Sequence, residues 1–92
     1  MQEKVAAHLW ISGRVQGVCY RAWVEEIANA LQLTGWGRNL PTGQVESILE
    51  GEKSQVEEMI QKCHQGPSAA RVKEVRVEWE PYQGRTPDFR VI

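Results

Sequence analysis

From Val5 to Ser12 the chain alternates: Val5, Ala7, Leu9 and Ile11 fall on one side, Ala6, His8, Trp10 and Ser12 on the other. A period of two predicts a β-strand with one strongly apolar face, and the stretch from Gly13 to Gly17 is expected to break it. The period then changes. Trp23, Val24, Ile27, Ala28 and Leu31 recur at helical spacing, with Glu25 and Glu26 on the opposite side. This predicts an amphipathic helix from about Tyr20 to Leu33. Thr34 to Asn39 carries Gly35, Trp36 and Gly37, which break a helix and suit a short strand. Leu40-Pro41-Thr42-Gly43 reads as a turn, because proline fixes φ and glycine accepts a positive one. Gln44 to Glu50 follows with Val45, Ile48 and Leu49, so residues 34–50 read as a hairpin.

Ser54-Gln55-Val56-Glu57 spells a capping box. Val56, Met59, Ile60 and Cys63 then repeat at i, i+3, i+4 and i+7, which predicts a second amphipathic helix that Gly66-Pro67 stops. Val75, Val77 and Trp79 alternate with Glu74, Arg76 and Glu78, giving a half-buried strand. Pro81 to Pro87 reads as loop, and Phe89 to Ile92 as a short C-terminal edge strand. The order β-α-β-β-α-β plus tail strand belongs to the α+β class. It predicts a ferredoxin-like two-layer sandwich, an antiparallel sheet with two helices on one face. In that topology the first helix begins, and the second ends, at the edge where the turn after the first strand opens. Trp23 and Trp79 fit apolar stripes and are expected in the core. Trp10 is expected to cover the open sheet face, and Trp36 to flank the hairpin glycines.

Composition narrows the possibilities. The 92 residues are 41% hydrophobic and 25% charged, ordinary values for one globular domain spanning residues 1–92. Eleven Lys and Arg stand against twelve Asp and Glu, a net charge of −1. That balance argues against a general nucleic-acid binder, which carries a basic surplus. No apolar run approaches the roughly 20 residues of a membrane span. The opening MQEKVAAHLW lacks the basic-then-apolar layout of a secretory leader, so a cytoplasmic location is expected. Cys19 and Cys63 are too few for a disulfide scaffold, and no CxxC supports zinc. Both fall at the same predicted edge, where a bridge is geometrically conceivable; two reduced thiols are the expectation in a cytosolic setting.

The segment GRVQGVCYR, Gly13 to Arg21, carries the candidate chemistry. It joins a strand to a helix N-terminus, where unpaired backbone N–H groups and the positive end of the helix dipole favour anions. Two glycines let the backbone curl so that successive N–H groups point into one concavity. Arg21 adds a planar fork of donors that matches two phosphate oxygens. The plain alternative is a strand-to-helix turn in which Gly13 and Gly17 serve conformation only. Neither a P-loop nor a GxGxxG is present.

GRVQGVCYR, followed by GWGRN at Gly35 to Asn39, closely resembles the acylphosphatase family. The likeness extends over essentially the whole chain. It implies hydrolysis of the carboxyl-phosphate bond of small acyl phosphates by a small monomeric enzyme that needs no cofactor or metal; charge and hydropathy add the expectation of no nucleic-acid or membrane partner. By that resemblance Arg21 grips the phosphoryl oxygens and Asn39 positions the attacking water. The backbone amides of Gln16, Gly17, Val18, Cys19 and Tyr20 cradle the phosphate. Two features depart from the family pattern. Cys19 and Tyr20 stand where aromatics are common, and Gly37 replaces a β-branched residue, which is expected to loosen the hold on Asn39.

The remaining candidates carry less. His8 lies on the less apolar strand face and His64 ends the second helix; neither has an evident partner, so no catalytic role is expected. Glu25-Glu26 and Glu57-Glu58 read as solvated helix faces, since adjacent helical residues point apart. At least one of Arg14 and Arg38 is expected to add positive potential near Arg21. RNA-recognition domains share the element order, but the strands here lack their run of aromatic and basic residues.

Overall fold

The computed structural model describes residues 3–92; Met1 and Gln2, the start of the segment assessed for a leader, lie outside them. Seven elements follow in the order β1 (Lys4–Arg14), α1 (Tyr20–Ala30), β2 (Thr34–Asn39), β3 (Val45–Glu52), α2 (Lys53–Gln65), β4 (Arg71–Glu80) and β5 (Phe89–Val91). The strands form one sheet in the order β4-β1-β3-β2-β5. The apolar face of β1 builds the core: Ala7, Leu9 and Ile11 pack with Val45 and Leu49 of β3 against Val24 and Ala28 of α1 and Val56, Met59 and Cys63 of α2. Full burial of each larger aliphatic side chain contributes about 1.5–3 kcal/mol. Both helices cover this one face, the ferredoxin-like arrangement.

The sheet is mixed rather than purely antiparallel, because β5 pairs with β2 in parallel. The reason is where β4 ends. Ala6 pairs with both Glu80 and Glu50, and Glu50 pairs with Thr34, so β4 and β3 finish at the end where β2 starts. A chain that crosses that end re-enters the sheet running the same way as β2. The crossing segment is fastened there by Glu50, which is 0% exposed. Its two carboxyl oxygens accept the backbone N–H of Gln83 at 2.9 Å and of Arg85 at 3.0 Å.

Several boundaries differ from the sequence pattern. β1 does not break at Gly13 but runs to Arg14, through a shift of its register with β4 between Ser12 and Gly13. Gly13 holds φ +123°, and a Cβ there would lie 2.2 Å from the Arg71 carbonyl oxygen, so the bulge requires glycine. α1 ends at Ala30, not Leu33. Gln32 takes a left-handed φ of 59°, and Leu33 N–H and Gln32 N–H donate to Ala28 and Asn29, a Schellman close. Leu31 and Leu33 both pack on the core beyond the last helical residue, so apolar positions continue past the helix end.

The predicted capping box is not the cap of α2. β3 passes into the helix without a loop, Glu52 is the N-cap residue and its side chain makes no capping bond. The Lys53 N–H is met by the Glu3 carbonyl at 2.9 Å. Trp79 is 51% exposed rather than core, since β4 is the outermost strand. Trp23 is only partly buried against the core.

Candidate active site

One end of the sheet gathers the segments singled out above. β1 and β2 finish there, β3 begins there, and α1 starts from the loop that leaves β1. A cleft of about 530 Å³ opens at this end, and Gln16, Gly17, Cys19, Tyr20, Arg21 and Asn39 all line it. Val18, the remaining loop residue, turns inward and is buried in the core.

The loop is curled by left-handed backbone at alternate positions, φ 74° at Gly17 and 62° at Cys19. For glycine this conformation carries no steric penalty, whereas at Cys19 it is a strained choice that the surroundings enforce. Cys19 is the N-cap residue of α1, and its carbonyl accepts the Trp23 N–H at 3.0 Å. Among the described residues, the backbone N–H groups of Gln16, Gly17, Val18 and Cys19 donate to no protein acceptor. Four free donors beside a helix N-terminus form an anion-binding concavity.

Tyr20 anchors the loop from below. Its ring is buried and its hydroxyl donates to the Cys63 carbonyl of α2 at 2.7 Å. Arg21, the next residue, stands half-exposed at the cleft, and its Nη1 donates to the Ile92 carbonyl at 3.4 Å. Asn39 ends β2 opposite Val45 and is exposed; among the described residues no protein group engages its side-chain amide. Gly37 is contacted by the C-terminal strand: its carbonyl accepts the Ile92 N–H at 2.9 Å, and the Phe89 ring lies 3.5 Å from where a Cβ would stand.

A match to the acylphosphatase family model covers residues 7–91. The chain belongs to the acylphosphatase family. It is 46% identical over 92 residues to an acylphosphatase of Roseiflexus sp., covering 100% of this chain and 99% of that one. Its fold superposes on the structure of an acylphosphatase from Coxiella burnetii with a TM-score of 0.92 at 37% identity, over 97% of this chain and 93% of the other. The acylphosphatase from Bacillus subtilis also gives 0.92, at 25% identity over 96% and 98% of the two chains. The protein is an enzyme of the acylphosphatase type.

Other expectations sort themselves by geometry. The two thiols of this acylphosphatase chain are free: Cys19 is exposed and Cys63 is buried. Arg38 is committed to the opposite sheet face, where its Nε lies 2.6 Å from Glu46 Oε1 and its guanidinium sits over Trp36. Neither Arg38 nor Arg14 lines the cleft; the acidic Glu25, one helical turn beyond Arg21, does.

Sequence reasoning missed what His8 does. Its Nε2 lies 2.7 Å from Glu46 and its Nδ1 3.0 Å from Glu80, and its ring stacks on Trp10 at 3.9 Å. Each ring nitrogen thus meets a carboxylate oxygen. Burial pushes the Glu46 carboxyl up, but the hydrogen bonds and charges of His8 and Arg38 outweigh it, so it is held below the ordinary glutamate value. This network lies on the open face, away from the cleft. The side chain of Gln16 was also missed. It reaches across to the β2–β3 turn, a contact that becomes visible only once the turn is placed.

Proposed function

We propose that this enzyme hydrolyses the carboxyl-phosphate bond of small acyl phosphates, with Arg21 and Asn39 as its catalytic residues. The observation that supports it best is the convergence on one cleft of the amide-bearing 16–19 loop, the Arg21 guanidinium and the unengaged Asn39 amide. The backbone N–H groups of residues 16–20 and the fork of Arg21 hold the phosphoryl oxygens and stabilise the charge that gathers on them in the transition state. The Asn39 amide orients a water in line with the phosphorus. The water oxygen bonds to phosphorus, the bond to the acyl oxygen breaks, and its electron pair leaves with the carboxylate. Neither Arg nor Asn is a usable base near neutral pH. The water proton therefore passes to a phosphoryl oxygen of the substrate, giving a carboxylate and inorganic phosphate. No step is assigned to a metal or cofactor. Residues 1–92 are taken to act as one domain and one monomer, which sedimentation at several concentrations checks.

Following loss of an aryl acyl phosphate in the presence of chelator tests this reading. Arg21→Ala and Asn39→Ala are each expected to lower kcat by about 10²–10³, the cost of removing one preorganised donor. Near-normal turnover in either folded variant sinks the assignment of that residue.

A further inference from the structure

The phosphate loop and the strand that presents Asn39 come from separate stretches of chain, and their relative placement needs a physical tie. Gln16 supplies one. Its side-chain Nε2 donates to the Leu40 carbonyl at 2.9 Å and to the Gln44 carbonyl at 2.8 Å. Those carbonyls belong to the turn that begins immediately after Asn39. The turn is itself closed by Leu40 N–H to Gln44 at 2.8 Å and Gly43 N–H to Leu40 at 3.1 Å. Gln44 carries the tie back to β1, since its Nε2 donates to Ser12 Oγ at 3.0 Å. A primary amide suits the bridge: it offers two N–H donors in a fixed plane, each to a different carbonyl. The bridge is partly buried, which limits competition from water. Among the described residues, by contrast, no hydrogen bond holds the Asn39 side-chain amide.

We infer that the Gln16 side chain is a positioning residue, holding the phosphate cradle and the Asn39 amide at the separation that in-line attack requires. This rests on the reading of Asn39 as the group that orients water. The backbone N–H of Gln16 and its side chain then do different work. The first binds the phosphoryl group, and the second aligns the two halves of the site. A misplacement of about 1 Å in such a site costs about 10²-fold in rate.

The two roles separate in Gln16→Met, which keeps the backbone N–H and most of the side-chain length but deletes both donors. Its kcat is expected to fall by about 10- to 100-fold. The inhibition constant of inorganic phosphate should change by less than about threefold, because the amides and Arg21 remain. In an Asn39→Ala background the same substitution should lower kcat by less than about threefold, since a group that acts through Asn39 has nothing left to align. A merely structural role predicts otherwise: the two losses multiply, and phosphate affinity weakens in step with kcat. Either result overturns the inference, as does a folded Gln16→Met enzyme with kcat within about twofold of the parent. If Gln16→Met does not fold, Gln16→Asn keeps the donors but shortens their reach, and the same cycle applies. An Asn39→Ala enzyme with the parent's kcat removes the reading of Asn39, and the inference falls with it. A slowed Asn39→Ala enzyme with multiplicative losses removes the inference alone.

Discussion

Cys19 and Cys63 show how far apart two like residues are driven by their surroundings. Burial pushes the Cys63 thiol up to about 12, opposed only in part by its hydrogen bond with Tyr20. The same burial, with Cys63 beside it, raises the Tyr20 phenol far above its usual range. Cys19 stands exposed at the cleft. A maleimide or disulfide reagent at pH 7–8 is therefore expected to modify one thiol in the native protein and two in denaturant. Two fast equivalents without denaturant, or none, would contradict this placement. At the residue scale the sequence was informative where function is local. That Arg21 and Asn39 share one cleft was legible because each sits in a short, recognisable string. The partners of His8 were not, because they lie 38 and 72 positions away and meet it only through strand register.

Among the elements, β1 and β2 show that a glycine in a strand has two meanings. Gly13 is a bulge that any side chain would drive into the Arg71 carbonyl. Gly37 has ordinary strand geometry, with room for a Cβ in contact with Phe89. Gly13→Ala is expected to destabilise the fold by about 2 kcal/mol or more, whereas Gly37→Ala should stay within about 0.5 kcal/mol, read from urea midpoints. The sequence pattern treated Gly13 as a break, because a bulge is a property of the pair of strands rather than of either one. A second element-scale prediction concerns β3. The folded Glu46 carboxyl titrates below its unfolded value of 4.5. Its contribution is therefore present above pH 4.5 and lost as pH falls through the lower folded value. Stability should decline below about pH 4.5, and Glu46→Gln should flatten that slope. A slope unchanged in Glu46→Gln would show that other carboxyl groups carry it.

For the whole molecule, periodicity and turn chemistry were enough to place two helices on one sheet face, since burying the apolar side of β1 leaves few alternatives. The direction of β5 was not legible. It depends on which end of the sheet the 81–88 segment crosses, and that crossing is held by the buried Glu50, a residue that reads from sequence as an ordinary charged strand position. The parallel pairing of Gly35 with Phe89 has a kinetic consequence. It must close a loop containing most of the chain, and such non-local closures are paid for in entropy before they are rewarded by contacts. The same strand carries Ile92 to Gly37 and to Arg21, so the cleft reaches its final shape only after that closure. During refolding from urea, the return of turnover is expected to lag the return of helical circular dichroism; coincident traces would show that closure and helix formation are one event. The parallel closure of β5 on β2 thereby becomes the clock for the appearance of activity.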